Sequence, residues 1–258
     1  MRLWPSGLIS LPSIDRVLAP APNPKRVEAL KPLPFAHRGL HGRGLVENSL
    51  GAFEAAVSAG HGIELDVRIT RDAHAIVFHD AELDRLAEAS GQVDRRSAAE
   101  LAKIELRGTR ETIPTLSQAL KRIGGRVPLL IELKAPDPRV APLCLAVFHA
   151  LEGYRGPVGV MSFNPEVGRW FRLHGPRVTR GLVVTEAGKR RRGAMERRLA
   201  LWRSRPDFLA YDVRDLPSRF ATWARARGVP VFTWTCRSAE DEAKARAHAD
   251  QIIHELER

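Results

Sequence analysis

The sequence predicts a (β/α)8 TIM barrel of the α/β class. Eight short apolar runs stand apart along the chain, segments of helical spacing fill the gaps between them, and the 258 residues match the roughly 250 that one such barrel uses. Strict alternation of this kind forces parallel strands, because parallel neighbours need a crossover connection and cannot be joined by a tight hairpin. A single barrel domain from Leu33 to Arg258 accounts for the chain, preceded by an N-terminal extension over Met1 to Pro32.

The extension holds Pro5, Pro12, Pro20, Pro22, Pro24 and Pro32, which break any long helix and favour turns or extended backbone. It either wraps the barrel or covers its base. The strand-like runs then follow as LPFAH, GIELDVRI, PLLIELK, VGVMSF, TRGLVV, DFLAYD, VPVFTW and QIIH. Intervening segments carry apolar residues at helical spacing, such as Leu50, Phe53, Ala56 and Val57, or Leu116, Ala119, Leu120 and Ile123. A ninth run, HAIVF, follows the second strand across Thr70 to Ala73 and is expected to return antiparallel, delivering His79 and Asp80. The chain stops soon after QIIH, so the last helix is expected to be missing or shortened, with the Pro-rich extension as the candidate to fill its place.

Composition sets outer bounds on function. With 44% hydrophobic and 28% charged residues the chain can bury a full core, so a globular fold rather than disorder is the default expectation. Cys144 and Cys236 are too few and too isolated for a structural zinc site. No apolar run approaches the roughly 20 residues that span a bilayer, and the start lacks a secretory leader pattern, so a cytoplasmic location is expected. The net charge of +11 concentrates between Lys189 and Arg205, where eight basic residues face only Glu196. A solvated basic helix is the plain reading of this segment. Weak association with an anionic membrane surface is the alternative, and no nucleic-acid motif or aromatic stacking platform accompanies the charge.

Charged residues inside barrel strands are informative. In GIELDVRI, Glu64 and Asp66 share one face while Ile63, Leu65 and Val67 share the other. The apolar set faces the helices, so the carboxylates point into the barrel near its mouth. PLLIELK repeats the pattern with Glu132 and Lys134. Three inward carboxylates without clustered thiolates suit one hard divalent cation with oxygen ligands, Mg²⁺ or Ca²⁺. The competing reading is a buried ion-pair network using Lys134 and Arg68. His37 ends the first strand and leads into Arg38 and Gly39, while His79 is followed by Asp80, a partner able to set its tautomer. Two histidines at the mouth can supply a general base and a general acid. His41, in the loop HRGLHGRG, is near enough to touch substrate; His61, His74, His149, His174, His248 and His254 read as surface or loop residues.

Taken in order, FAHRG, ENS at Glu47 to Ser49, ELDV with TRDAHAIVFHD, IPTL, IELK, MSF and FTW resemble the glycerophosphodiester phosphodiesterase family over roughly Leu33 to Ile253. The resemblance implies hydrolysis of a glycerophosphodiester to glycerol 3-phosphate and an alcohol. It implies metal ligands at Glu64, Asp66 and Glu132, acid/base roles for His37 and His79, and phosphate contacts from Arg38 and Lys134. Glu47 then orients Arg38, and Asn48 holds the loop or assists near the metal. Trp234 either walls the pocket or belongs to the core.

The chain departs from the family pattern in three places. Cys236 and Arg237 follow Trp234 and Thr235 where the family commonly has Asn two residues after the threonine. ADQIIHE replaces a glycine-containing ending with Thr-Asp, and the stretch from His79 to Ile113 is short where relatives can carry a larger insertion. These changes bear on substrate fit more than on the catalytic set. The rival readings are a lysophospholipase D or phospholipase C-type enzyme acting on lipid, which an apolar rim at the mouth would favour, and a non-catalytic binding module. No such rim is evident in the sequence, which therefore favours small water-soluble substrates. A sugar hydrolase would use paired carboxylates but has no need of His37, Arg38, His79 and Lys134 together.

Overall fold

The computed structural model describes residues 12–188 and 191–255. Its elements run α1 (Pro12–Leu18), α2 (Lys25–Glu28), β1 (Phe35–Ala36), α3 (Leu50–Ser58), β2 (Gly62–Ile69), β3 (Ala75–Val77), α4 (Ala98–Leu101) and α5 (Leu116–Ile123). Then come β4 (Leu129–Leu133), α6 (Ala141–Ala150), β5 (Val158–Ser162), α7 (Pro165–His174), β6 (Thr179–Val184), α8 (Arg191–Ser204), β7 (Phe208–Asp212), α9 (Arg219–Ala226), β8 (Val231–Cys236), α10 (Ala239–His248) and β9 (Gln251–His254). Eight parallel strands close into a barrel through the β1–β2 and β1–β9 pairings, in the order β1, β9, β8, β7, β6, β5, β4, β2. All eight apolar runs are strands of this barrel. β3 adds to β2 antiparallel, Val67 opposite Val77, as the HAIVF run leads one to expect.

Strand alternation sorts the core into two layers. Ile63, Leu65, Val67, Leu129, Ile131 and Leu133 face outward and pack with Phe53, Leu116 and Ile123 of the helical ring. Their neighbours Leu130, Met161, Val183, Phe208, Ala210, Phe232 and Ile253 fill the interior together with Phe35. Phe208 and Phe232 stack with ring centroids 4.9 Å apart, and Gly181 makes room for them, since a Cβ there would sit 2.4 Å from the Phe208 ring. The barrel is thus plugged by aromatic rings toward the N-terminal ends of its strands. That leaves only the opposite mouth for a site.

The extension covers the base. Val27 and Leu30 of the α2 region enter the interior core beneath Phe35, and the Arg26 guanidinium holds this segment to Asp207 at 3.1 Å and to the Val178 carbonyl at 2.7 Å. α1 rests against α8, where Trp202 Nε1 donates to Asp15 at 2.7 Å, and against Arg227, whose guanidinium donates to the Ala19 carbonyl at 2.8 Å. Among the described residues no helix follows β9, and the described part of the extension lies beneath the barrel and against α8 and the end of α9. Residues 1–11 of the extension lie outside the described residues.

Between His79 and Ile113 the chain folds over the β3 side of the mouth around a small core of its own, with Ile76, Phe78, Leu83, Val93, Leu106 and Ile113 buried. The basic segment forms α8 and the residue after it, and three of its described arginines are paired: Arg197 with Glu186 at 3.2 Å, Arg198 with Asp15 at 3.6 Å and Arg203 with Glu166 at 2.5 Å. Lys189 and Arg190, and the side chains of Arg191 and Arg192, lie outside the described residues. No helix among the described residues is long and apolar enough to cross a membrane. His61 and His254 are buried rather than surface groups, meeting edge to face with centroids 4.9 Å apart. They sit at the entry to β2 and the end of β9, positions that packing closes and that a sequence without a last helix makes look exposed.

Candidate active site

The mouth is a cavity of about 320 Å³ lined by His37, Arg38, Glu64, His79, Glu132, Lys134 and Trp234 among others. Glu64 and Asp66 come from β2 and Glu132 from β4, where Asp66 lies directly opposite Glu132 in the ladder. One carboxylate oxygen of each of the three lies within 4.8 Å of the others, and all three residues are buried. Burial and the two neighbouring carboxylates push the Glu64 pKa well above its ordinary value; burial raises Glu132 as well, against the pull of Lys134. Asp66 is held far below the usual carboxylate range: burial alone would raise it, but Lys134 and Arg38 prevail.

The charges explain this split. Lys134 Nζ lies 2.9 Å from Asp66 and 2.6 Å from Glu132, and Arg38 Nε lies 3.1 Å from Asp66. Two cations against three carboxylates leave one carboxylate uncompensated, Glu64, whose Oε1 is buried without a hydrogen-bond partner, and its raised pKa is the consequence. An ionised carboxylate buried this way costs several kcal/mol unless it gains a partner. Three convergent oxygen donors with one orphaned oxygen fit a hard divalent cation. The ion-pair network expected as the competing reading is present through Lys134, whereas Arg68 turns away to donate to the His79 carbonyl at 2.7 Å.

The loop after β1 brings the remaining groups in. Arg38 and Asn48 both adopt left-handed backbone, φ 56° and 59°, and Gly39 follows at φ 80°, where a Cβ would stand 2.9 Å from Ala52. Held strain of this kind belongs to sites whose surroundings over-determine them. Here Asn48 N donates to the Arg38 carbonyl at 2.8 Å, Asn48 Nδ2 donates to Asp66 at 2.9 Å, and Ser49 caps α3 immediately afterwards. Asn48 therefore both closes the loop and fixes a carboxylate of the cluster. Glu47 accepts from Arg38 at 2.7 Å, as expected of a residue that orients that guanidinium.

Each histidine of the pair has a carboxylate on Nδ1. His79 lies 2.6 Å from Asp80 and His37 lies 2.5 Å from Glu255. Hydrogen bonds from His37 and Arg237 overcome burial to bring the Glu255 pKa down to about 2, and Asp80 is likewise lowered, burial being outweighed by its bonds to Arg85 and His79. Both carboxylates are ionised at neutral pH, so Nδ1 of each ring carries the proton and Nε2 is left to the cavity. His37 Nε2 stands 3.9 Å from Glu64. Burial lowers the His79 pKa and keeps that imidazole neutral.

Two contributors escaped the sequence reading. Glu255 sits in the divergent ending ADQIIHE and reaches His37 only because β9 pairs with β1, Ala36 opposite His254. Arg85, from the small lobe, donates to both Glu47 and Asp80, at 2.8 and 2.5 Å, and so ties the Arg38 side of the site to the His79 side. Nothing in its local sequence marks it. The Trp234 ring packs on the interior core, its Nε1 donates to the Ala210 carbonyl at 2.9 Å, and it lines the cavity beside Phe163, centroids 5.6 Å apart. His41 is partly buried above the loop and does not line the cavity.

Histidines, carboxylates and basic groups gathered at the C-terminal mouth of a closed parallel barrel define the class of barrel enzymes. The family model of the glycerophosphoryl diester phosphodiesterase family matches residues 37–254, and the chain belongs to that family. A glycerophosphodiester phosphodiesterase of Caldanaerobacter subterraneus subsp. tengcongensis is 28% identical over 235 residues, covering 87% of this chain and 94% of its own. Among solved structures, a phosphodiesterase of Oleispira antarctica, determined with its product sn-glycerol-3-phosphate, superposes with a TM-score of 0.76 at 23% identity, covering 88% of this chain and 95% of that one. The structure of a protein from Silicibacter pomeroyi DSS-3, described as a putative glycerophosphoryl diester phosphodiesterase, gives 0.75 at 23% identity, with 90% of this chain and 94% of that one covered. These structures share the fold.

Proposed function

We propose that the chain hydrolyses glycerophosphodiesters to glycerol 3-phosphate and an alcohol, with His37 and His79 as the acid/base pair and Glu64, Asp66 and Glu132 holding one divalent cation, Mg²⁺ or Ca²⁺. The observation that carries this reading is the pairing of each histidine with an ionised carboxylate on Nδ1 at the edge of a carboxylate cluster. Such a cation, when bound, supplies positive charge to a phosphate oxygen and to the charge that develops there.

The chain's own groups do the rest. Counting the groups that touch the cluster, a net charge of minus one becomes plus one when a divalent cation is held, which complements a singly charged phosphodiester. Arg38 and Lys134 then meet phosphate oxygens with fixed positive charge. A neutral His79, its Nε2 lone pair free, is suited to take a proton from the attacking oxygen. His37, oriented by Glu255, is suited to give a proton from Nε2 to the leaving oxygen in the form in which both ring nitrogens carry hydrogen. A cavity of about 320 Å³ admits a glycerophosphate and excludes much bulk water. Two buried, unpaired thiols, Cys144 and Cys236, support a reducing compartment such as the cytoplasm.

The decisive assay incubates purified protein with a panel of deacylated glycerophosphodiesters, with and without chelator, and follows glycerol 3-phosphate. Release that stops in chelator and returns with Mg²⁺ or Ca²⁺ supports the reading. Absence of turnover on every member under all conditions overturns it.

A further inference from the structure

Arg85 does not line the cavity, yet three of its nitrogens are bonded to two carboxylates of the site. Nε donates to Asp80 at 2.5 Å, while Nη1 and Nη2 fork onto Glu47 at 3.1 and 2.8 Å. The side chain is 48% exposed, but the backbone that carries it is fixed. Leu83 and Ala87, on either side, are buried in the small core, Leu83 N donates to the Gly91 carbonyl at 3.0 Å, and Ala87 N donates to the Leu83 carbonyl at 2.9 Å. The Arg107 guanidinium holds the same turn by donating to the carbonyls of Asp84 and Ala87 at 3.0 and 2.9 Å. A half-exposed arginine on a loose loop makes an ion pair of little consequence. On a turn held at both ends, its rigid fork is presented at one place.

The two carboxylates serve different groups. Asp80 lies 2.6 Å from His79 Nδ1, and Glu47 accepts from Arg38 Nη1 at 2.7 Å. Glu47 and Asp80 share no hydrogen bond or ion pair of their own among the described residues and meet only through Arg85. Arg38 Nε stands 3.1 Å from Asp66, its backbone N donates to Glu64, and no described group holds its Nη2, which is left for a phosphate oxygen. That freedom depends on Arg85. Glu47 Oε2 is taken by Arg85 alone, so Arg38 makes a single bond to this carboxylate. With Oε2 vacant, the two-bond fork that arginine and carboxylate favour would draw Nη2 off the substrate.

We propose that Arg85 is a positioning residue that keeps the proton-transfer group and the phosphate-binding guanidinium in mutual alignment, by steadying Asp80 on His79 and by denying Glu47 a second bond to Arg38. The proposal rests on the hydrolytic reading above and adds a residue to it. The lobe between His79 and Ile113 thereby belongs to the catalytic machinery, although none of its residues beyond His79 lines the cavity.

The test measures kcat, KM and melting temperature on the deacylated glycerophosphodiester that the parent chain turns over fastest, with cation in excess. Arg85→Ala should lower kcat about thirtyfold with KM within about twofold, a smaller loss than removing either group outright, because the groups remain and only their placement fails. Arg85→Lys keeps the charge without the fork and should recover about threefold of that loss. Asp80→Asn combined with Glu47→Gln should cost at least about threefold less than the product of the two single losses, since either change breaks the bridge, and in an Arg85→Ala background the two losses should multiply. A purely structural arginine would shift the melting temperature and show no such coupling. Turnover within about twofold of the parent in Arg85→Ala, full recovery in Arg85→Lys, or independent losses from Asp80→Asn and Glu47→Gln in the parent each overturn the proposal and leave the catalytic reading standing. Failure of the parent chain to hydrolyse any deacylated substrate removes that reading, and the role of Arg85 with it.

Discussion

The two halves of the barrel mouth are built on opposite terms. The β1–β4 side carries His37, Arg38, Glu64, Asp66, His79, Glu132 and Lys134, nearly all bonded to one another. The β5–β8 side presents Met161, Phe163, Val183 and Trp234 toward the cavity, with Asp212, Arg214 and Arg237 at its rim, and adjoins an apolar groove. Chemistry and substrate grip are thus divided between halves. The first depends on the identity and protonation of a few groups, and the second on the shape of a surface, so changes on the two sides should show up in different kinetic constants.

The largest effect should come from stripping the charged half of its cation. Chelation should abolish turnover, Mg²⁺ or Ca²⁺ should restore it, and binding should raise the melting temperature, because a ligand held only by the folded chain shifts the folding equilibrium. Glu64→Gln removes the carboxylate that bears the uncompensated charge and should weaken cation binding as read by calorimetry. Full activity in chelator, with no metal found by elemental analysis, would falsify the cation site.

Next in size are the histidines. His37→Ala or His79→Ala should slow turnover by about 10²-fold or more with folding and KM nearly intact. The double variant should resemble the worse single one, since residues acting as a unit are not additive. Steady-state kinetics on three variants decide this, and near-normal turnover in either single variant returns that histidine to a structural role.

Glu255 offers a smaller effect on the same side. Glu255→Gln keeps a hydrogen-bond acceptor near His37 Nδ1 but removes the charge that stabilises the ring when it is protonated. A loss of about tenfold in kcat is expected, with KM unchanged and partial recovery in Glu255→Asp. Equal loss in Glu255→Asp and Glu255→Gln, or a loss confined to melting temperature, would assign Glu255 to structure alone.

The contrast between halves also explains what the sequence made legible. Barrel class, strand count and the antiparallel return of β3 follow from local periodicity, and Glu64, Asp66 and Glu132 stood out because charges inside apolar strands are costly. His79 and Asp80 are adjacent in the chain, so their pairing could be read directly. The bond from Glu255 to His37 spans 218 positions and depends on barrel closure, which no local pattern encodes. Arg85 is one arginine among many until the small lobe folds it over Glu47 and Asp80. The groove was invisible for a related reason: Phe163 lies in the loop after β5, Val184 ends β6 and Leu199 sits on α8, and nothing in these separate stretches marks their meeting. The place of the extension beneath the barrel was equally hidden, because Val27 and Leu30 look like any short apolar pair.

The smallest effect should come from the apolar half, at Trp234. Its indole walls the cavity while Nε1 donates to the Ala210 carbonyl at 2.9 Å. Trp234→Phe keeps an aromatic wall and deletes that hydrogen bond, which should cost about 1 kcal/mol of stability, a fall of a few degrees in melting temperature. A narrower ring also leaves the phosphodiester less tightly walled, so KM should rise by about two- to fivefold, a fraction of the transfer energy of one aromatic side chain. Because the Trp234 indole neither gives nor takes a proton in the reaction, its Nε1–H being engaged by the Ala210 carbonyl, kcat should remain within twofold of the parent, by the rule that loss of uniform binding raises KM alone. Steady-state kinetics on a deacylated glycerophosphodiester, with a thermal melt alongside, measure both quantities. A fall in kcat as deep as that of His37→Ala would place Trp234 among the catalytic groups and dissolve the division between the two halves of the mouth.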